Sequence, residues 1–470
     1  MRRKIKPVIA AAFNLITDTI VAIATPIGEG GLSVIRLSGP DAFRIADTRF
    51  HPVGAHSQKP SAAATHTVHY GRMMSGDKPI DEVLLTVLRA PRTFTAEDTV
   101  EISCHGGILP AKMVLDELLA GGARLAEPGE FTRRAFLNGR IDLAQAEAVA
   151  DLIHSRTEFA LAAANEQLAG KLSQRINRLR DELMLVLAHV EAHIDFPDED
   201  ISPDTRAQLL KKLHDGLRFM AELLSTANEG QILRRGIRAA IVGRPNAGKS
   251  SLLNQLLGRD RAIVSPTPGT TRDTIEETAN IRGLPVIFID TAGLREARDE
   301  LEREGIRRSR ESLDQAEFIL HVFDASEPFT AEDENLLSEF AGKKRILIRN
   351  KSDLPVKLSF PPALSAVQVD VSCTRGDGIE TLKNAIKELI WSGEINAEML
   401  QVMINSRHQE ALNRARIAIQ RAAGALAEGA TLELVAADLR TGVSAVGEIV
   451  GKTTTEDLLD SIFSQFCIGK

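Results

Sequence analysis

The stretch that decides the fold is Ile241-Val242-Gly243-Arg244-Pro245-Asn246-Ala247-Gly248-Lys249-Ser250. Apolar residues from Ala239 onward predict a buried strand before it, and residues 251–254 predict a helix after it. This is the phosphate-loop pattern G-x-x-x-x-G-K-[ST] in its expected setting of strand, loop and helix. Its glycines let backbone N–H groups turn toward an anion, and the helix N-terminus adds partial positive charge. We therefore expect Lys249 to reach the terminal phosphates of a nucleotide and the Ser250 hydroxyl to hold Mg²⁺.

Three further motifs each follow an apolar stretch that predicts a strand. Asp290-Thr291-Ala292-Gly293 offers a carboxylate for Mg²⁺ and a glycine N–H for the last phosphate. At the end of Asn350-Lys351-Ser352-Asp353, a carboxylate can accept both N–H groups on one edge of guanine, which adenine lacks. Ser372-Cys373-Thr374 is typical of the loop that closes over guanine. The four motifs in this order indicate a GTPase of the P-loop class.

Residues between these motifs bear on metal binding and on hydrolysis. We expect the Thr271 hydroxyl to complete the coordination of Mg²⁺ when the third phosphate is present, whereas Thr270 better fits a capping threonine. Leu294 stands where Ras-type enzymes position the attacking water with a glutamine, so another group must do so. The Asn246 carbonyl can bind a monovalent cation that neutralises charge in the transition state. Spacing does not choose among five nearby carboxylates that are candidates for orienting the water: Glu296, Asp299, Glu300, Glu302 and Glu304.

Composition narrows the function classes. The chain has 470 residues, of which 43% are hydrophobic, enough for roughly two to four domains. Its formal net charge is -7, so a nucleic-acid partner has to be met by a local basic patch. The three cysteines, Cys104, Cys373 and Cys467, form no CxxC pair, which argues against a disulfide framework or a thiolate zinc site. No apolar run reaches the roughly 20 residues that span a bilayer, and we expect a cytoplasmic protein without a membrane partner.

The pattern of apolar residues divides the chain into regions of different structure. Strand and turn patterns predict an α+β domain first, and apolar residues three or four apart predict helices from residue 143 onward. Strands and helices alternate around the phosphate loop, as in a doubly wound α/β fold. The predicted fold is α/β plus α, with a P-loop G domain inserted into a helical domain and an α+β domain before it. The predicted boundaries are 1–17 for an N-terminal extension, 18–135 for the α+β domain, 136–231 and 393–470 for the two parts of the helical domain, and 232–392 for the G domain.

Individual elements are predicted as well. An apolar stripe that begins at Leu168 and ends at Val190 predicts a packed face within the helical pattern of residues 143–190. Thr455 is placed to cap the last helix. The other predicted elements are strands at 20–24, 33–37, 82–88 and 99–103, and helices at 110–119, 202–228, 408–428, 431–450 and 456–466.

Several blocks of the chain resemble the MnmE (TrmE) family, bacterial GTPases that help to modify the wobble uridine of tRNA. The similarity covers nearly everything after residue 17. The C-terminal sequence Cys467-Ile468-Gly469-Lys470, combined with an inserted G domain, is highly specific for this family. The blocks that carry the resemblance are residues 18–22, 126–131, 134–140, 194–197, 243–250, 290–296 and 466–470.

The resemblance implies a folate-binding N-terminal domain that also forms a homodimer, a discontinuous helical domain and an inserted G domain. It further implies a potassium-stimulated GTPase that acts on tRNA in a hetero-oligomer with an FAD-dependent partner, MnmG. The reaction adds a carboxymethylaminomethyl or aminomethyl group to carbon five of the wobble uridine. A tetrahydrofolate derivative supplies the one-carbon unit, and K⁺ and Mg²⁺ are the implied ions.

Roles for individual residues follow from the resemblance by motif position. Glu302 matches the catalytic carboxylate that orients the attacking water. The implied Mg²⁺ ligands are Ser250 and Thr271, and the implied K⁺ ligands are Asn246, Ser265, Thr267 and Thr270. The implied folate contacts are Arg36, Glu101, Arg140 and Lys470; the family has lysine at the position of Arg140 and threonine at that of Ser265. The residues expected to contact GTP are Asn246, Ala247, Gly248, Lys249, Ser250, Ser251, Ser265, Thr270, Thr271, Asp290, Thr291, Ala292, Gly293, Asn350, Lys351, Asp353, Ser372, Cys373 and Thr374.

Alternatives stay open for the function of the whole chain and for the roles of single residues. The G motifs also fit a regulatory GTPase that binds ribosomal RNA during ribosome assembly, or a membrane-associated GTPase, but no RNA-binding G-x-x-G module or basic amphipathic helix is evident. Cys467 is either a nucleophile near the one-carbon donor or a small buried apolar residue. A group of arginines either faces tRNA phosphates or covers a solvated helix surface: Arg303, Arg307, Arg308 and Arg310.

Overall fold

The computed structural model describes residues 18–54, 58–195, 203–258, 276–289, 314–361, 364, 366–391 and 397–470. The chain forms two compact units. Unit 1 comprises Met1–Ala150, Leu168–Leu213 and Ile417–Lys470, and unit 2 comprises Asp151–Gln167 and His214–Arg416, each within the described residues.

Unit 1 begins with a mixed sheet, seven strands wide in the described residues. Its order is β3-β4-β5-β6-β2-β1-β7, and neighbours are antiparallel except β1 and β7. Val83 and Leu85 on β5 are buried while Leu84 between them is exposed, because side chains alternate along a strand. Helices α1 and α2 cover the buried face, which confirms the predicted α+β domain. The elements are β1 (Ile20–Ile23), β2 (Leu32–Ser38), α1 (Ala42–Arg49), β3 (Phe50–Pro52), β4 (Thr67–Ser75), β5 (Lys78–Leu88), β6 (Thr99–His105), α2 (Ile108–Ala120) and β7 (Arg124–Leu125).

Helices follow the sheet along the chain. The helical pattern of residues 143–190 is three helices, with breaks at residues 155–157 and 169–170. The second break puts Leu168 at the end of α5, so it does not belong to the buried stripe of α6. The predicted helix 202–228 likewise ends early, and a second one starts after Thr226. The elements are α3 (Glu130–Leu137), α4 (Leu143–His154), α5 (Glu158–Leu168), α6 (Lys171–Asp195), α7 (Pro203–Ser225) and α8 (Ala227–Arg235).

Unit 2 contains a second sheet, with strand order β13-β12-β11-β8-β10-β9 in the described residues. All its neighbouring strands are parallel except the β9–β10 hairpin. Parallel strands bring their carboxyl ends to one edge, which is where loops of doubly wound folds bind ligands. The G domain fold is confirmed. The elements are β8 (Ile237–Val242), α9 (Lys249–Leu257), β9 (Glu277–Ile281), β10 (Leu284–Phe288), β11 (Phe318–Asp324), α10 (Ala331–Glu339), β12 (Lys344–Asn350), β13 (Val367–Asp370), α11 (Ile379–Ile390) and α12 (Ala397–Leu400).

Helices resume after the α/β region as α13 (Ser406–Glu428), α14 (Leu432–Ile449) and α15 (Glu456–Phe463). In unit 1, α6 packs along α14, with an ion pair of 2.8 Å between Arg440 and Glu191. Helices on either side of the inserted domain therefore pack together, as predicted. Thr455 caps α15 by accepting a bond from the Leu458 N–H at 3.4 Å. Among the described residues, no helix has the length and apolar character that crossing a membrane requires.

Candidate functional site

The phosphate loop joins β8 to α9 in unit 2, and close packing explains its two glycines. Gly243 has φ 153°, and a Cβ there would lie 2.2 Å from the Val322 carbonyl oxygen. Gly248 has φ 97°, and a Cβ there would lie 2.1 Å from Asn350 Nδ2. Backbone and amide groups at these distances leave no room for any side chain. The loop therefore passes tightly between neighbouring strands before it enters the helix.

A left-handed residue and two lysine contacts shape the phosphate loop from within. Asn246 has φ 62°, a left-handed conformation that asparagine tolerates better than most residues. The Lys249 ammonium donates to the Gly243 carbonyl at 2.8 Å and to the Arg244 carbonyl at 2.9 Å. Burial lowers the pKa of Lys249. Ser250 and Ser251 follow in the first turn of α9, with Ser251 exposed.

A buried ion pair holds the loop from outside. Arg244 Nε donates to Asp333 Oδ1 at 2.9 Å, and only 2% of the Asp333 side chain is exposed. The other oxygen of Asp333 accepts the N–H and the hydroxyl of Thr330, both at 2.9 Å, in a capping box that starts α10. Both carboxylate oxygens are therefore engaged, one with the helix and one with the phosphate loop. The T-x-x-D pattern is typical of such a cap, but nothing in the sequence indicates its contact with Arg244.

One side chain links the three loops at this edge of the sheet. The amide nitrogen of Asn350 donates to the Ala247 carbonyl at 2.8 Å. Its carbonyl oxygen accepts from the Cys373 N–H at 3.2 Å, and the residue is 2% exposed. Gln255 of α9 donates to the Cys373 carbonyl at 2.7 Å. The loops after β8, β12 and β13 are thereby fixed relative to one another.

The residues predicted to recognise guanine lie in the same loops. The Ser372 hydroxyl donates to Asp353 Oδ1 at 2.7 Å, and this bond lowers the pKa of Asp353. A carboxylate that stays ionised is an acceptor for two N–H groups. Lys351 has φ 63° and pairs with Asp324 at the end of β11 at 2.5 Å. Thr374, next to the buried Cys373, is exposed.

Part of the predicted nucleotide site lies outside the described residues. The structure brings together the described members, which are Asn246, Ala247, Gly248, Lys249, Ser250, Ser251, Asn350, Lys351, Asp353, Ser372, Cys373 and Thr374. Sequence reasoning missed Arg244, Asp333, Asp324 and Gln255, which hold these loops in place. The predicted residues outside the described part are Ser265, Thr267, Thr270, Thr271, Asp290, Thr291, Ala292, Gly293 and Glu302, together with Arg303, Arg307, Arg308 and Arg310.

Unit 1 carries a second group of predicted site residues around the chain's end. Arg36 and Glu101 lie opposite each other on β2 and β6 and form an ion pair at 2.8 Å. The guanidinium also lies 5.7 Å from the centre of the Phe131 ring and donates to the Gly469 carbonyl at 3.3 Å. A residue of the sheet therefore binds the C-terminal tail directly. We refer to Arg36, Glu101 and residues 467–470 as the tail site.

The tail itself is held through its backbone. A Cβ at Gly469 would lie 2.6 Å from the Ile23 carbonyl oxygen. The Cys467 carbonyl accepts from the Gly129 N–H at 3.4 Å and from the Lys470 N–H at 3.3 Å. Burial and the neighbouring Arg36 charge lower the pKa of Lys470. The tail is thus seated against β1 and the start of α3.

Two of the predicted site residues of unit 1 have exposed side chains. Cys467 is exposed, so the interpretation of this residue as a small buried apolar side chain is wrong. Arg140 is also exposed, on the turn after α3, where its backbone N–H bonds to the Ala135 carbonyl at 2.9 Å. The structure brings Arg36, Glu101 and Lys470 together. It records no hydrogen bond or ion pair between the Arg140 side chain and any described residue.

Comparison with known proteins places this geometry in a family. A family model described as the MnmE helical domain matches residues 143–467, and one described as the GTP-binding protein TrmE N-terminus matches residues 19–140. Among solved structures, the G domain of the T. maritima FeoB iron transporter is 26% identical with a TM-score of 0.26, covering 33% of this chain and 98% of its own. Such a score carries no argument about the overall architecture.

Curated relatives match over nearly the whole chain. The tRNA modification GTPase MnmE of Geobacillus thermodenitrificans is 48% identical over 463 residues, which is 96% of this chain and 99% of the relative. The protein of the same description from Chloroflexus aurantiacus is 49% identical over 458 residues, 96% of this chain and 100% of the relative. Matches of this extent confirm the resemblance inferred from the motifs. The chain belongs to the MnmE family of tRNA modification GTPases.

Proposed function

We propose that this chain hydrolyses GTP to GDP and phosphate in the cytoplasm as part of the modification of carbon five of the wobble uridine of tRNA. It acts in a hetero-oligomer with the FAD-dependent partner MnmG and adds a carboxymethylaminomethyl or aminomethyl group. The observation that carries the GTPase part is the junction at Asn350, which binds the phosphate loop and the Cys373 loop in one arrangement. Asp353, whose carboxylate accepts a bond from the Ser372 hydroxyl, supports the choice of guanine over adenine.

The side chains proposed to bind the nucleotide and its ions carry oxygen ligands suited to Mg²⁺ and K⁺. Ser250 supplies a hydroxyl at the second position of α9, and the proposed partner for Mg²⁺ is Thr271. Asn246 supplies an amide carbonyl, a neutral oxygen ligand suited to a weakly hydrated cation such as K⁺. Bound there, K⁺ supplies the positive charge that offsets negative charge in the transition state. The other proposed ligands of K⁺ are Ser265, Thr267 and Thr270, and the proposed catalytic carboxylate that orients water is Glu302.

The proposed contacts to Asp290, Thr291, Ala292 and Gly293 complete the phosphate end of the nucleotide site. The loop that contains them would sense the third phosphate through the glycine N–H and the metal-linked carboxylate. The Lys249 ammonium donates to two loop carbonyls, so a bond from Lys249 to phosphate competes with these two bonds. This exchange replaces two neutral acceptors with charged ones, which favours the bound state.

The tail site is the proposed location of a tetrahydrofolate derivative, which supplies a one-carbon unit when bound. Its described side chains offer a guanidinium, an ammonium and a carboxylate from Arg36, Lys470 and Glu101. That set suits a ligand that combines carboxylates with ring N–H donors, as folates do. Arg140 is the fourth proposed contact, and exposed Cys467 is the proposed nucleophile beside the one-carbon donor.

We also propose the domain limits and the oligomeric state. The limits are 1–17 for an extension, 18–135 for a folate-binding and dimerisation domain, 136–231 with 393–470 for the helical domain, and 232–392 for the G domain. The outer face of β4 and β5 supports a homodimer, because Val68, Tyr70 and Leu84 are 60%, 47% and 46% exposed. Tyr70 and Leu84 are directly paired across these strands, so the apolar surface is continuous.

Two measurements test the proposal. Deletion of the gene should remove the modification at carbon five of wobble uridines, measured by mass analysis of tRNA nucleosides, and the gene supplied on a plasmid should restore it. The purified protein should hydrolyse GTP several-fold faster in potassium than in sodium salts at equal ionic strength. Unchanged wobble uridines would refute the tRNA reaction, and equal rates in both salts would remove the role given to Asn246.

A further inference from the structure

An RNA partner needs a local concentration of positive charge, because the chain as a whole carries -7. Three segments of unit 1 meet at one place: residues 138–145, 168–178 and 449–455. The Leu143 N–H bonds to the Val450 carbonyl at 3.4 Å, and the Gln145 amide donates to the Leu168 carbonyl at 2.8 Å. The start of α4 therefore lies between the turn after α14 and the start of α6. We call these three segments the basic end.

The basic end has a strong excess of cations. Its three segments contain five basic residues and one acidic residue, Asp142. Asp142 accepts a bond from the Gln145 N–H at 3.0 Å, and burial raises its pKa. The Asp142 carboxyl group therefore bonds within the fold and does little to balance the positive charge of its basic neighbours. The five basic residues are Arg140, Lys171, Arg175, Arg178 and Lys452.

Most of these cations lack a counter-charge. Arg178 pairs with Glu182 at 3.0 Å, but the structure records no ion pair between Lys171, Arg175 or Lys452 and any described residue. Lys171 and Arg175 are four residues apart on α6 and so share one face of the helix, an arrangement that disfavours the helix when both are charged. Elsewhere in unit 1, exposed arginines such as Arg44 and Arg440 are paired with carboxylates. Unpaired cations crowded at one place suit a polyanion.

The basic end also lies near the tail site. Helix α3 starts after Gly129, whose N–H bonds to the Cys467 carbonyl at 3.4 Å, and it ends at the turn that opens the basic end. Eight helical residues span about 12 Å at 1.5 Å per residue. A nucleic-acid strand bound at the basic end is therefore within a short reach of the tail. The wobble base lies in a loop, and loops are where RNA bases can be turned out toward a protein.

We propose that the basic end binds backbone phosphates of the anticodon arm of tRNA and so directs the wobble base toward the tail site. The inference rests on the proposed function, and it adds the surface that binds the substrate. Lys171, Arg175 and Lys452 contact phosphates and fix the register of the RNA. They carry no base specificity, since phosphate contacts position a nucleic acid without reading its sequence.

The test compares two triple variants with equal changes in charge. The first is Lys171→Ala/Arg175→Ala/Lys452→Ala. The control is Lys211→Ala/Lys212→Ala/Arg421→Ala, which removes three exposed cations from α7 and α13. Binding of a full-length tRNA transcript with an unmodified wobble uridine is measured by fluorescence anisotropy over a series of NaCl concentrations. GTP hydrolysis without tRNA is measured for both variants and should stay at the level of the unsubstituted protein, since neither set lies in the nucleotide site.

The basic-end variant should bind tRNA about tenfold or more weakly near 0.15 M salt. In a plot of the logarithm of the binding constant against the logarithm of the salt concentration, the magnitude of its slope should fall by about two to three. The control should bind as the unsubstituted protein does. Equal affinity and equal slope for the two triple variants would overturn the role of the basic end while leaving the proposed function standing. Failure of the unsubstituted protein to bind tRNA in the presence of its partner would overturn both. Lys452→Glu, a single change on a turn, should weaken binding even if the triple variant does not fold.

Discussion

The nucleotide site and the tail site are built in different ways. At the nucleotide site, a buried neutral amide, Asn350, bonds to the backbones of two other loops. At the tail site, Arg36 of the partly buried charged pair with Glu101 donates to the Gly469 carbonyl near the end of the chain. The described loops of the first site are thus joined by hydrogen bonds within the fold. The second combines backbone contacts of the tail with one guanidinium that bonds to a residue 433 positions away in sequence.

The difference has a consequence for how each site responds to substitution. Removing a buried side chain that satisfies two backbone groups leaves both groups without partners, and burial makes that costly. Changing one group of a partly buried pair is less costly where both side chains keep some contact with water, because water replaces part of the lost contact. Ligand binding at the nucleotide site should therefore be the more sensitive of the two to substitution. Three substitutions, two at the nucleotide site and one at the tail site, test this difference.

The largest effect is expected for Asn350→Ala. It leaves the Ala247 carbonyl and the Cys373 N–H without partners in a place that is 2% exposed. An unsatisfied buried group costs roughly 1–3 kcal/mol, so affinity for GTP should fall about a hundredfold. The dissociation constant of a fluorescent GTP analogue gives the measurement. Asn384→Ala is the control, because Asn384 is exposed on α11 of the same unit and should bind as the unsubstituted protein does.

If Asn350→Ala bound GTP with unchanged affinity, the loops would have to hold their arrangement without this junction. The contrast between the two sites would then disappear. If instead both asparagine variants lost affinity equally, the effect would reflect general loss of stability in unit 2. A thermal melt of each variant separates that result from a local one.

An intermediate effect is expected for Arg36→Lys at the tail site. Arginine bonds to Glu101 and to the Gly469 carbonyl with different nitrogens, and it lies over the Phe131 ring. A lysine keeps the charge but has one nitrogen in place of a planar fork, so it cannot reproduce the separate bonds that Nε and a terminal guanidinium nitrogen make. Binding of a tetrahydrofolate derivative, measured by calorimetry, should weaken about tenfold, the equivalent of one lost charge-assisted bond. GTP affinity should not change.

The control for this substitution is Arg44→Lys, since Arg44 forms an exposed ion pair with Asp41 on α1. It should leave folate binding as it is. Equal folate affinity in Arg36→Lys and Arg44→Lys would mean that the tail is held by its backbone contacts alone, namely the Gly469 packing on Ile23 and the bond from Gly129. The tail site would then be as preassembled as the nucleotide site.

Sequence reasoning predicted the nucleotide site better than the tail site, because only the first is built from local motifs. The phosphate loop, Asp353 and the Ser372 loop are short motifs next to strand ends, and their local order specifies where they meet. The tail site requires the register that sets Arg36 opposite Glu101 and the return of Gly469 to β1. No local pattern specifies either contact. Only the family resemblance pointed to these residues.

The prediction of helices and strands was also accurate only where the local sequence carries a pattern. Helices α6, α13 and α14 were predicted because their apolar residues recur at helical spacing over many turns. The break at residues 155–157 was missed, although Thr157 is placed to cap α5, with its hydroxyl 3.3 Å from the Ala160 N–H. Short edge strands such as β3 and β7 were missed as well, because two or three residues carry no periodicity. Tertiary packing determines such elements, and local sequence does not record it.

The smallest effect is expected for Asp333→Asn, which tests whether the nucleotide site is held from outside. Asparagine keeps the size of the side chain but loses one of two charges that pair with Arg244, Asp333 at 2.9 Å, while Glu327 at 3.1 Å remains. Because the Arg244 carbonyl contacts Lys249 and Asn246 lies two residues further on, the loop should become less ordered where GTP and K⁺ are proposed to bind. A lost charge-assisted bond of about 1 kcal/mol predicts a three- to fivefold weaker affinity for GTP. We also expect a higher potassium concentration for half-maximal hydrolysis.

Glu317→Gln is the matched control for Asp333→Asn. Glu317 pairs with Arg235 at 2.7 Å just before β11 begins, and so lies at the edge of the sheet opposite the loops. It removes the same charge from the same unit without touching the phosphate loop. A shift in the potassium requirement for Asp333→Asn alone would extend the nucleotide site to α10. Identical behaviour of the two variants would contradict this, because the loop would then keep its shape through Gly243, Gly248 and Asn350 without help from Arg244.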